Sequence, residues 1–190
     1  NCVITSNTAT RAGGGLYDSH ARNCLIMGNT GGGDVGGGGM RDGVADNCTI
    51  VSNTAWRSDT GLQVGGGTLG TIVTNSIVYF NYGAVGFENY SGGSFNFSCT
   101  TPLPSGTGNT VSDPNFISAS SDFHLNPGPC VDQGTNLPWM TAATDLDGMN
   151  RIINSRVDMG CFEADFASGP LRPSGRRSAI ACTCCSVCPV

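Results

Sequence analysis

Asp18, His20 and Arg22 stand at alternate positions, and Asp42, Val44 and Asp46 repeat that spacing 24 residues later. Alternation places each trio on one face of an extended strand. If the two strands lie side by side, Asp18 stacks on Asp42 and Arg22 on Asp46. Two carboxylates one strand apart approach the ~5 Å separation of a retaining glycosidase pair. The same oxygens could clamp Ca²⁺ beside an arginine base, as in a polysaccharide lyase. The bland alternative is a solvated face with an exposed ion pair of small energetic worth. In the third position lie Gly70, Ile72 and Thr74, so this polar patch is only two strands tall.

A second oxygen-rich stretch is Asp145, Asp147 and Asn150, whose alternating hard donors suit calcium. Its glycine, Gly148, comes too early for an EF-hand loop, and a structural turn that caps the fold competes with the metal reading. There Arg151 or Arg156 would pair with Asp158 or Glu163. His124 has no evident partner in the sequence and is read as structural.

The elements that position these residues follow from a repeat. GGGLYDSHARNCLIMGNT at 13–30 recurs as GGGMRDGVADNCTIVSNT at 37–54 and, more loosely, as GGGTLGTIVTNSIVYFN at 65–81. The pivot residues Asn1, Asn23, Asn47 and Asn75 are 22, 24 and 28 residues apart. A period in this range without helical patterning marks a solenoid of stacked β coils, since no unit can bury its apolar side alone. Counting from each pivot, the inward rows are Cys2, Cys24, Cys48 and Ser76; Ile4, Ile26, Ile50 and Val78; Ala21, Ala45 and Val73; and Leu16, Met40 and Thr68. Two asparagine rows, the pivots and Asn7, Asn29, Asn53 and Asn81, predict amide ladders at bends. The pattern predicts a right-handed parallel β-helix of three short strands per coil. The expected divisions are coils over 1–97, a closing segment over 98–163, and a disordered or read-through cysteine-rich tail over 164–190.

The Gly-Gly-apolar and x-x-Asn pairings resemble the repeats of polymorphic outer-membrane proteins. The segment from Ser98 to Asn136, followed by TDLDGMNRIINSRVDMGCFE at 144–163, resembles the end of choice-of-anchor Q proteins. Asp145, Asp147, Gly148, Arg151, Val157, Asp158, Gly160 and Glu163 carry that likeness. It implies a secreted or surface-tethered bacterial β-helix of the pectate-lyase-like kind, and it implies no single activity.

Composition narrows the partners. The 190-residue chain has no lysine and sets nine arginines against 14 acids. With no basic stripe, a nucleic-acid partner is not expected, and no apolar run reaches membrane-spanning length. Residue 1 falls inside a repeat, so earlier coils and an export signal are expected to precede it. Ten cysteines divide into an inward row, a Cys99–Cys130 disulfide expected of a secreted protein, Cys161, and the tail quartet Cys182, Cys184, Cys185 and Cys188. The quartet could ligate zinc, but no second ligand pair follows at zinc-finger spacing.

These features predict a monomeric surface module that adheres to or binds a polysaccharide. A polysaccharide lyase or glycoside hydrolase is the alternative, and a regular-array face built on Thr8, Thr30 and Thr54 is a third. No cofactor is expected, calcium excepted.

Overall fold

The computed structural model describes residues 1–33, 36–56, 65–83 and 86–166. Residues 167–190 of the cysteine-rich tail, its four cysteines included, therefore lie outside the described residues. The repeat folds as a parallel β-solenoid. One face stacks Cys2–Thr5, Cys24–Met27, Thr49–Val51, Ile77–Tyr79 and Cys99–Thr100. A second stacks Thr8–Ala9, Thr30–Gly31, Thr54–Ala55 and Tyr82–Gly83, with Gly86–Phe87 added antiparallel at its edge. A third holds Leu16–Tyr17, Met40–Arg41, Thr68–Leu69 and Tyr90–Ser91. The fourth holds His20–Arg22, Val44–Asp46, Ile72–Thr74 and Ser94–Asn96.

There are thus four strands per coil rather than three. The extra corner falls at Asp18, Asp42, Gly70 and Gly92, all with positive φ. Asp, Asn and Gly tolerate that left-handed geometry best, so these positions turn the chain between two short strands. Pivots Asn23, Asn47 and Asn75 adopt the same conformation at the next corner. Elsewhere the coils approach backbone to backbone. At Gly38 a Cβ would lie 2.1 Å from the Gly66 carbonyl oxygen, which explains the glycine triplets.

The interior matches the expected rows. Ala21, Cys24, Ile26, Met40, Ala45, Cys48, Ile50, Val73 and Val78 form one buried cluster, closed by Phe95 in the next coil. The second asparagine row is an unbroken ladder. Each amide nitrogen of Asn7, Asn29, Asn53 and Asn81 donates to the side-chain oxygen one coil on, ending at Asn89.

The pivot row behaves differently. Asn23 donates to Asn1 and Asn75 to Asn47, but Asn47 turns to the backbone oxygen of Asp158. Asn23 Oδ1 is left without a partner. Asn1 and Asn23 also donate to Thr144, and Asn75 to Thr135. The pivots therefore grip the returning C-terminal segment.

That segment does not cap the stack. Residues 105–110 close its end, where Asn109 Nδ2 donates to the Phe95 oxygen and Thr110 bonds both Ser98 and Thr100. The remainder runs back along the side of the first face. Leu25, Val51 and Ile77, which point outward, are covered by Phe116, Phe123, Leu125, Met159 and Phe162. Cys99 and Cys130 join this lateral core as thiols, not as the expected bridge. The Cys99 sulfhydryl instead points to the Ser112 oxygen at 3.2 Å.

Arg151 locks the wrap. It is fully buried, meets Glu163 at 2.7 Å, and donates to the backbone oxygens of Asp158 and Gly160. Of the two pairings expected, Arg151–Glu163 forms, while Arg156 binds backbone oxygens of Gln133 and Gly134. Asp145, Asp158 and Glu163 surround this one guanidinium. Burial pushes Glu163 up to about 9 against the pull of Arg151, and pushes Asp158 up to about 6.

Acids raised on folding bind protons that the unfolded chain releases, so their stabilisation is complete at low pH and fades as pH climbs through the folded values. Stability should fall between about pH 5 and pH 9. Thermal melts across that range, with Glu163→Gln flattening the slope, check this. A flat native profile would show that the cluster keeps its charge.

Candidate functional site: an outward polar and aromatic surface

The strands His20–Arg22 and Val44–Asp46 pair in register, with His20 opposite Val44 and Arg22 opposite Asp46. Asp46 is 7% exposed although its strand position faces outward. Its Oδ2 takes His20 Nε2 at 2.8 Å and Arg22 Nε at 3.5 Å. The expected Arg22–Asp46 contact is present, and the diagonal bond to His20 is an addition. Such diagonal neighbours lie within reach of long side chains across paired strands.

Asp18 and Asp42 occupy the left-handed corner rather than the strand face, so their residue type is accounted for by backbone geometry. Their main-chain nitrogens donate to Arg41 and Leu69 of the following coils. The Asp42 carboxylate meets Arg41 Nε at 3.3 Å. It also overhangs Gly70, whose missing Cβ would sit 2.6 Å from Asp42 Oδ1.

On the adjoining face Tyr17 pairs with Arg41 in register, and the guanidinium lies 5.3 Å from the ring centroid. Tyr17 is 54% exposed. At the other margin the Arg22 guanidinium lies 5.1 Å from the Trp139 ring. Trp139 belongs to the 3₁₀ turn Pro138–Ala142, and its Nε1 has no hydrogen-bond partner. Nothing in the repeat pattern links residue 139 to residue 22. The only signal was an isolated tryptophan in a loop.

Two arginine–aromatic pairs thus flank the Asp18–Asp42 corner and the His20–Asp46 bond, across two adjoining faces. The arrangement is a shallow outward surface. The neighbouring Ile72 is half exposed and ends it. A separate cleft lined by Gly108, Asn109, Gly128 and Met159 offers no charged side chain.

The Asp145, Asp147 and Asn150 set diverges. Asp145 Oδ1 accepts the amide protons of Asp147 and Met149, and its Oδ2 that of Glu163. Asp147 turns to His124 Nε2 at 2.7 Å, while Asn150 is exposed beside its backbone bridge to Thr144. His124, expected to lack a partner, has two. Its Nδ1 meets Asp122 at 2.5 Å, and its ring stacks 4.0 Å from Phe162. Burial pulls this imidazole down, but the two carboxylates outweigh it and raise it. Among the described residues no three His, Cys, Asp or Glu side chains are placed to hold one metal ion.

Comparison with known families is decisive for kinship. Residues 1–146 match the family described as periplasmic copper-binding protein, NosD. The chain belongs to the NosD family. The match spans every coil of the solenoid and about the first half of the segment that wraps its side. Of the segments that resemble choice-of-anchor Q proteins, Ser98–Asn136 lies inside the match and residues 147–163 lie beyond it, and that narrower kinship is not shown. No curated protein and no solved structure matches the chain. No helix among the described residues is long and apolar enough to cross a membrane.

Proposed function

We propose that this NosD-family solenoid is an exported, glycan-binding module whose contact surface is the patch bounded by Tyr17 and Trp139. The observation that carries the reading is the pair of arginine–aromatic platforms on either side of Asp46. The exposed Tyr17 ring and the partly buried Trp139 ring supply flat apolar surface for the faces of sugar rings. Arg22, Arg41, His20 and Asp42 supply fixed donors and acceptors for hydroxyls. Asp42 and Asp46 already have cationic partners, which suits recognition better than proton transfer by a free carboxylate. An open, shallow face also suits a polymer more than a small molecule.

The test is binding to immobilised plant, bacterial and uronate polysaccharides, with titration of the oligosaccharides retained. Tyr17→Ala and Trp139→Ala should each weaken binding by about ten-fold, since a well-buried stacking contact is worth on the order of 1–3 kcal/mol. Unchanged affinity in both variants would overturn the assignment. Release of unsaturated or reducing ends during these assays would favour the lyase or hydrolase alternative.

The family description raises copper as a ligand. The hydrogen-bonded pairs His20–Asp46 and His124 with Asp122 and Asp147 do not converge on a common point, and a three-donor site does not fit them. The thiols of the interior are a different donor set.

A further inference from the structure

In the wrap, strand Asp122–Leu125 turns Phe123 and Leu125 into the lateral core, which leaves His124 on its other side. There both ring nitrogens meet carboxylates, Nδ1 that of Asp122 and Nε2 that of Asp147. A neutral imidazole carries one N–H and can donate to only one of them. The arrangement is complete only when both nitrogens are protonated.

The two carboxylates are not equivalent. Asp122 lies on the same strand, and its Oδ1 also accepts the His124 amide proton at 3.2 Å. Asp147 arrives from a turn 23 residues further along the chain. In that turn the amides of Asp147, Gly148 and Met149 all donate to Asp145. The tip is otherwise open, with Met149 47% exposed and free space where a Gly148 Cβ would stand. The Asp147 carboxylate is thus the side-chain tie between the tip and the hairpin.

We propose that His124 is a pH-operated bolt on the wrap, which as an imidazolium fastens the tip 147–149 to the hairpin and on losing one proton lets that tip go.

The step is a proton transfer to water. The Nε2–H bond breaks, H⁺ leaves, and the electron pair kept by Nε2 faces the Asp147 carboxylate. Nδ1 keeps its proton, because Asp122 is held in place by the strand's own amide. No other bond breaks, and the ring remains stacked on Phe162.

The groups around the ring set the direction of the switch. Asp122 faces it from its own strand, Asp147 from the turn, and Phe162 from the last stretch of the wrap. Asp145 stands behind Asp147 with its carboxylate engaged by three amides, and Glu163, next to Phe162, turns inward to Arg151. Burial pulls His124 down, but Asp122 and Asp147 outweigh it and raise it. A group raised on closure favours closure below its ordinary value, and loses that advantage as pH climbs through the raised one. The bolt is therefore shut in acid and opens above the ordinary histidine value of about 6.5.

The chain has two histidines, so ring-nitrogen NMR of the labelled full chain shows two imidazoles, and His20→Gln identifies that of His124. Titration in EDTA keeps stray cations off the carboxylates. His124 should titrate above the ordinary value, lose its Nε2 proton and keep the Nδ1 proton. The amides of Asp147, Gly148 and Met149 should shift with the same midpoint and lose exchange protection, while those of Ile26, Ile50 and Val78 stay fixed. Asp147→Asn should shift the His124 midpoint downward and abolish the response of the tip. The native titration stands even if that variant fails to fold. A midpoint at or below the ordinary value, an Nε2–H tautomer at high pH, tip amides unmoved through the titration, or a midpoint unchanged in Asp147→Asn would each overturn the proposal.

Discussion

Ile50→Asp should leave the chain unable to fold. Ile50 is fully buried between Ile26 and Val78 in the interior row, with no cation or amide within that cluster to pair a carboxylate. An ionised group there carries a penalty of several kcal/mol, and even the protonated form leaves polar atoms unsatisfied. That is comparable to the whole stability of a domain, about 5–15 kcal/mol. Every coil contributes to one continuous row, so the defect sits in the middle of the stack. Val44→Asp is the control. Val44 lies on the outward face, partly exposed and opposite His20, and the change should cost less than about 1 kcal/mol. Thermal melts followed by circular dichroism decide this. Similar losses at the two positions would mean that the inward and outward phases are misassigned.

Arg151→Met should release the lateral wrap without dissolving the coils. The substitution keeps the apolar stem but removes the partner of Glu163 and the donors to Asp158 and Gly160. Breaking one side of a buried ion pair typically costs about 3–5 kcal/mol. Here part of that loss is recovered, because Glu163 and Asp158 are already biased toward protonation by burial. Detachment would expose Leu25, Val51 and Ile77 to water. The expected result is a destabilisation of about 3 kcal/mol in urea, together with new proteolytic cleavage between residues 127 and 163. An unchanged midpoint would show that the apolar contacts of the lateral core hold the wrap alone.

Period and phase were legible in the sequence because burial on one face imposes them. A one-residue slip would turn Ile26, Ile50 and Val78 out of the core together, so the apolar rows specify register without knowledge of the partner coil. Even the fourth strand had left a mark. Leu16 and Ala21 are five residues apart and both point inward, which strict alternation forbids, so a corner must lie between them. The left-handed turn at Asp18 is that corner. The same corner changes the meaning of Asp18 and Asp42 from stacked outward carboxylates to turn residues.

Tertiary structure decided what a repeat cannot encode. Leu25, Val51 and Ile77 are apolar at outward positions, and their cover comes from residues 116–162. The pivot asparagines were readable as a ladder, yet Asn47 breaks it because a backbone carbonyl of the returning segment competes for its amide. Trp139 reaches Arg22, and Asp147 reaches His124, only once that segment is laid along the coils. Local spacing determines which side of a strand a residue occupies. The position of a non-repeating segment depends on the sum of many weak contacts at large sequence separation, and so the coils could be read from the sequence while the margin of the binding surface could not.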